Sequence, residues 1–84
     1  MPNPMKNPII KKLVEERLDM IQKSTEAYIM YNNHEEKITN VELKESENFA
    51  RIILMTDKGT TFVLTPAEFL KKTIRVENKV MRGR

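Results

Sequence analysis

The feature of this sequence that most constrains its fold is a length of 84 residues without a single cysteine. Disulfides and thiolate metal sites are excluded, and a chain this short forms one domain with one modest hydrophobic core. Such a core leaves little room to enclose a deep substrate cavity. Small domains of this kind often gain stability by binding another copy or a partner. Without disulfides, a signal peptide or a membrane-spanning run, we expect a cytoplasmic protein.

The first residues are rich in proline and predict a flexible lead-in over 1–7, followed by a single α+β domain over 8–84 with a basic C-terminal end. Asn7 and Pro8 have the character of a helix N-cap followed by proline at the first helical position. We therefore expect the N-terminal helix to begin at Pro8.

Apolar residues recur with helical spacing from Pro8 to about Tyr31. Arg17 falls inside the apolar arc, so its stem is expected to pack while its charged head reaches water. Asn32 and Asn33 follow as a helix stop, because asparagine tolerates the left-handed conformation. The predicted apolar face consists of Ile10, Leu13, Val14, Leu18, Ile21, Thr25, Tyr28 and Ile29.

A helix over 8–31 would be about 36 Å long, whereas strands of six residues span about 20 Å. The helix would extend beyond its sheet and leave part of its apolar face without cover. A second copy or a protein partner is the simplest cover for that part. The predicted interface consists of Leu18, Ile21, Thr25, Tyr28 and Ile29.

Three segments with strand character follow the helix, over residues 37–45, 49–56 and 60–64. The first alternates apolar and polar residues, and the second is apolar on both sides, which is typical of a central strand covered on both faces. Asp57-Lys58-Gly59 between the last two is a hairpin signal. These segments predict an antiparallel meander.

Thr65-Pro66-Ala67-Glu68 predicts the start of a second helix, because it combines an N-cap, proline at the first position and a capping box. Its end is open: residues 73–80 have an apolar face either as a helix or as a strand. The expected fold is α+β, with a long N-terminal helix packed on a three- to four-stranded antiparallel sheet and a further helix starting near Pro66.

Catalytic chemistry finds little support. The chain has one histidine, His34, which lies beside Glu35 and Glu36 just after the predicted helix. Helical zinc motifs need two histidines, so we interpret His34 as a solvated side chain at the negative end of a helix dipole. Gly-rich phosphate loops and nucleophile elbows are absent from the sequence. We expect no catalytic residue, no metal and no cofactor.

The basic C-terminal end is the clearest functional signal. If residues 66–82 formed one helix, one face would carry a cationic stripe that could contact phosphates, made of Lys71, Arg75, Lys79 and Arg82. The same charges could instead only solubilise the chain. The candidate nucleic-acid-binding or anion-binding residues are Lys71, Lys72, Arg75, Lys79, Arg82 and Arg84.

Three functional classes therefore remain open. The first is a non-enzymatic regulator or inhibitor that acts through protein–protein contacts as a homo-oligomer, using the long helix or an open sheet edge. The general composition is typical of small proteins encoded by phages and mobile elements. The second is a nucleic-acid-binding protein that uses the basic end, and the third binds a small anionic ligand at an oligomer interface. No membrane partner is expected.

Overall fold

The computed structural model describes residues 3–78 and confirms an α+β fold with a long N-terminal helix. Its antiparallel sheet has five strands, one more than the largest predicted number, in the order β4-β3-β2-β1-β5. The elements, in chain order, are a 3₁₀ helix Pro4–Lys6, α1 Pro8–Lys23, β1 Glu26–Tyr31, β2 His34–Glu45, β3 Ala50–Thr56, β4 Thr61–Leu64, α2 Pro66–Lys71 and β5 Ile74–Glu77.

The N-terminal helix ends eight residues before the predicted Tyr31, so the prediction was wrong beyond Lys23. Ser24 ends α1: its hydroxyl donates to the carbonyl of Ile21, and its backbone continues in an extended conformation. The following residues form β1, in which Ala27 and Ile29 are buried on one side. Pairing with two neighbouring strands outweighs the helical spacing that the sequence shows there. The 16-residue α1 is about 24 Å long, so the predicted overhang does not exist.

Two of the three hairpin turns among residues 3–78 depend on residues in the left-handed region. Asn32 (φ 50°) and Asn33 (φ 66°) connect β1 to β2 in a two-residue turn, instead of ending a helix. Two consecutive positive φ values are typical of a type I′ turn, which asparagine tolerates well. Gly59 (φ 83°) completes the predicted hairpin between β3 and β4.

Two further segments can be compared with the predictions made from the sequence. Residues 74–77 form β5, so the described part of the C-terminal segment is strand and not a continuation of α2. The structure describes residues 3–7 of the predicted lead-in, and part of this segment contacts the domain. Met5 is buried there, and the Asn3 side chain donates to Glu45 and to the carbonyl of Ser46. The lead-in is thereby fastened to the end of β2.

Strand β2 bends in its middle. Ile38 pairs with Thr56 and Asn40 pairs with Met55, so β2 carries one extra residue at this bulge. A bulge bends its strand and increases the local twist. In a flat sheet β1 and β4 would lie about 14 Å apart, across three strand spacings. The ring centroids of Tyr31 in β1 and Phe62 in β4 are nevertheless 5.1 Å apart, so the sheet is curved and brings these two strands closer on one side.

The core lies on the concave side of this sheet, under both helices. The largest fully buried side chains include Phe69 of α2, Ile29 of β1 and Ile52 and Leu54 of β3. Val14 contributes from α1. The two helices therefore seal one face of the sheet, which we call the inner face.

Arg17 fastens α1 to α2. Its guanidinium donates to the carbonyls of Phe69 (2.9 Å) and Leu70 (2.8 Å) and also to that of Lys72. These carbonyls lie at the C-terminal end of α2, where a cation also interacts favourably with the helix dipole. The predicted path of the head group to water is therefore wrong, and burial lowers the pKa of Arg17 without removing its charge.

We expect Arg17→Leu to lower the free energy of unfolding by about 2 kcal/mol, because carbonyls bonded to a charged donor lose their partner while the packing of the stem is largely kept. Urea unfolding followed by circular dichroism measures the change. Lys12→Leu, at an exposed position of the same helix, is the matched control. A loss no larger than that of the control would contradict this role of Arg17.

Candidate functional site

The convex side of the sheet, which we call the outer face, is open to solvent. Both helices lie over the inner face, and β3 alternates between buried residues and the outward-facing Arg51, Ile53 and Met55. Ile53 pairs with Val63 of β4, which is 59% exposed. Ile53, Met55 and Val63 therefore form a continuous apolar area, which we call the outer patch.

The sequence predicted β3 as a strand covered on both faces, and the structure corrects this prediction. No element among residues 3–78 covers the outer patch in the way that the helices cover the inner face. The apolar run of β3 thus serves two environments: a buried inner row and a partly exposed outer row. Sequence reasoning also missed Val63, although the alternation of Thr61, Phe62, Val63 and Leu64 contained the signal.

The outer patch continues to a free sheet edge. β4 pairs with β3 on one side only and is one of the two edge strands. The amide of Thr56 donates to the carbonyl of Thr60, so these two residues form a hydrogen-bonded pair of the β3–β4 ladder. By the antiparallel alternation, Phe62 and Leu64 bond to β3, whereas the N–H and C=O groups of Thr61 and Val63 point away from it. The edge thus presents four backbone groups to a further strand.

The other edge, β5, differs in charge. Arg75 stacks over the ring of Tyr28 at 4.5 Å and donates to Glu35 (2.8 and 2.9 Å) and also to Glu77. These bonds raise the pKa of Arg75 and lower that of Glu35. The outer side of β5 is therefore an ion-paired surface that is already satisfied within the chain.

The predicted helical interface is split by the end of α1. Leu18 and Ile21 face the core, and Ile29 is fully buried in β1. Thr25 lies in the connection between α1 and β1, and Tyr28 faces outward beside Arg75. The structure thus places these five residues on different surfaces, and three of them inside the domain.

The basic candidates are not aligned on one face either. Lys71 ends α2, and the Lys72 ammonium lies 5.6 Å from the ring centroid of Phe62. Arg75 lies on the outer face of the sheet in its ion-pair network. The helical stripe on which the nucleic-acid hypothesis was based therefore does not form over the described residues. Lys79, Arg82 and Arg84 lie outside them.

A polar cluster occupies the β1–β2 hairpin. Glu36 is 5% exposed, and its carboxylate accepts from the Thr56 hydroxyl (2.8 Å) and lies 2.7 Å from His34 Nε2. His34 Nδ1 lies 3.3 Å from the carbonyl of Asn32, so both ring nitrogens face acceptors. The hydrogen bond with Glu36 raises the pKa of His34, and the bonds from His34, Thr56 and Thr60 lower the pKa of Glu36 to about 2.

The His34 side chain is 51% exposed, as expected for a solvated residue, but it does not lie at the end of a helix, so that part of the prediction was wrong. His34 is the first residue of β2, and its partner Glu36 is the third. The arrangement joins β2 to the β3–β4 hairpin. Among residues 3–78, no group of three or more His, Cys, Asp or Glu is placed to hold a metal ion.

An open cleft of about 270 Å³ lies between the C-terminal end of α1 and the bulge of β2. Ile21, Ala27, Ile38 and Val41 contribute its apolar lining. Lys37 is the cation on its wall and lies 3.7 Å from Glu26, so its charge is compensated there. The cleft is thus poorly suited to attract an anion.

Comparison with known proteins finds a relative encoded by a virus. The chain is 35% identical over 52 residues to a protein named "Uncharacterized protein 2" of Sulfolobus islandicus filamentous virus (isolate Iceland/Hveragerdi). The matched segment is 62% of this chain and 64% of the viral protein, so the likeness spans less than two thirds of either. No family model and no solved structure matches.

Neither helix among residues 3–78 has the length and apolar character needed to cross a membrane.

Stability should fall as the pH rises through the folded-state pKa of His34, because that pKa is raised above its ordinary value near 6.5. The contribution of His34 is complete below about pH 6.5 and is lost as the imidazolium deprotonates. Urea unfolding of the protein and of His34→Gln, measured from about pH 6 to 9, gives the difference in stability. The advantage of His34 over Gln should shrink with rising pH. A difference that does not change with pH would contradict the ionic bond to Glu36.

Proposed function

We propose that this chain is a small, non-enzymatic binding protein with a regulatory or inhibitory role, and that it acts through protein–protein contacts and self-associates. The observation that carries the proposal is the free β4 edge joined to the outer patch. Val63 belongs to both, since its side chain is 59% exposed and its backbone points away from the sheet.

A free edge with apolar neighbours is suited to strand addition. In this binding mode the backbone of an incoming strand bonds to the edge, while side chains on alternate positions contact the adjacent surface. Proteins that avoid such pairing place charges or proline on their edge strands. β4 consists of Thr61, Phe62, Val63 and Leu64, and none of these protects the edge in that way.

Two observations support a binding role over a catalytic one. The buried carboxylate of Glu36 is occupied by hydrogen bonds from its neighbours, whereas a general acid needs an apolar pocket that raises its pKa. The cleft at the end of α1 is open and its cation is paired. The likeness to a viral protein supports a protein of viral or mobile-element type, and the lack of cysteine supports action in the cytoplasm.

We expect the protein to form an oligomer that persists at high salt, because contacts of backbone groups and apolar side chains are not screened by ions. Val63→Lys should shift the protein towards monomer, since it places a charge in the outer patch. Sedimentation velocity from micromolar to near-millimolar concentrations measures both effects, with the ultraviolet spectrum recorded for bound nucleic acid.

Asn48→Lys is the matched control, because it adds the same charge at an exposed turn away from the patch. This variant should associate like the unmodified protein. An unmodified protein that stays monomeric across the range would contradict self-association. A protein that carries nucleic acid at low salt and releases it at high salt would favour the nucleic-acid alternative instead.

A further inference from the structure

The β4 edge has a geometry that a second copy of the same strand satisfies. Per copy, Thr61 and Val63 each direct one N–H and one C=O away from β3. An antiparallel pairing centred on Phe62 places Thr61 of one copy opposite Val63 of the other, and the reverse. Every outward donor then meets an outward acceptor, and the pairing closes about a two-fold axis.

We propose that two copies of this chain pair symmetrically through β4, with Phe62 facing its own equivalent across the axis, to form one continuous ten-stranded sheet. This inference rests on the proposed self-association and adds the partner, the strand and the register. A two-fold axis perpendicular to the sheet places the inner faces of both copies on one side of the joint sheet and their outer faces on the other side. The outer patches of the two copies therefore become neighbours, and Val63 of each copy packs beside Thr61 of the other.

The charges of the two edges favour β4 over β5 for a symmetric contact. The amide of Met30 donates to the carbonyl of Thr73, so in β5 the outward backbone groups belong to Ile74 and Val76. A symmetric pairing there would centre on Arg75 and place two guanidinium groups opposite each other, which is unfavourable. β4 has no charged residue to repel its equivalent.

The driving force also differs between the two edges. Val63 and Met55 are 59% and 38% exposed beside β4, so pairing there removes apolar surface from water. On the outer side of β5, Arg75 already contacts the ring of Tyr28 and two carboxylates. Pairing at β5 would gain backbone bonds but little apolar contact.

Engineered cysteines test the register. The natural chain has no cysteine, so every disulfide that forms must involve an engineered residue. In the proposed pairing the Cα atoms of residues 61 and 63 of opposite copies lie about 5.5 Å apart, within the range of a disulfide. The double variant Thr61→Cys/Val63→Cys should therefore form a covalent dimer under mild oxidation, seen on a non-reducing gel. An equimolar mixture of the two single variants should form mainly the mixed dimer.

The single variants alone provide the register control. In the proposed register, residue 61 of one copy lies two positions along the strand from residue 61 of the other copy, and the same holds for residue 63. The Cα atoms of each such pair are therefore more than about 8 Å apart, and each single variant should cross-link poorly by itself. Equal cross-linking of either single variant by itself would overturn the proposed register. An oligomeric protein whose double variant gives no covalent dimer would overturn β4 pairing while leaving self-association intact.

Val63→Pro provides a second test without cysteine chemistry. The amide of Val63 does not bond to β3, so proline removes an outward donor and leaves the internal ladder complete. Sedimentation should show loss of the dimer, whereas Val63→Thr, which keeps the donor, should retain it. Circular dichroism and the melting temperature establish that both variants are folded. A folded Val63→Pro variant that dimerises as tightly as Val63→Thr would overturn the proposal.

Discussion

The bend of β2 at Ile38 and Asn40 is the constraint on which the other features depend. One extra residue on that strand turns its two halves towards different partners, β1 in the first half and β3 in the second. The sheet then curls until Tyr31 contacts Phe62, two residues that a flat sheet would keep apart. Because the concave side closes around α1 and α2, all the cover that the described chain supplies lies there. The convex side and the β4 edge remain for contacts with other molecules.

Polar contacts connect the elements of this curled arrangement at two places. The guanidinium of Arg17 supplies donors to the carbonyls of Phe69 and Leu70 at the end of the six-residue α2, of which Phe69 otherwise accepts only a 3.3 Å bond from the amide of Lys72. The carboxylate of Glu36 would be costly to bury without His34 and Thr56, which tie the first half of β2 to the β3–β4 hairpin. A core this small gains specificity from such contacts because few apolar side chains are available to define the arrangement.

The parts of the fold that are determined by local chemistry can be predicted from the sequence. The capping residues Asn7 and Thr65 predict both helix starts, and Gly59 predicts the β3–β4 hairpin. The end of α1 could not be predicted, because the apolar spacing around Ile29 fits a helix as well as a buried strand and only pairing with β2 and β5 decides between them. The candidate site depends on that tertiary pairing even more. Which face of β3 is covered, and which strand forms the edge, are not properties of any local segment.

The central claim is that the outward backbone of β4 is the binding surface, and amide hydrogen exchange followed by nuclear magnetic resonance tests it residue by residue. The amides of Phe62 and Leu64 should be protected at every protein concentration, because they bond within the sheet. Those of Thr61 and Val63 should exchange rapidly in dilute samples and become protected as the concentration rises. If Thr61 and Val63 exchanged rapidly in a fully associated sample, the contact would lie on another surface and β4 would not be the binding edge.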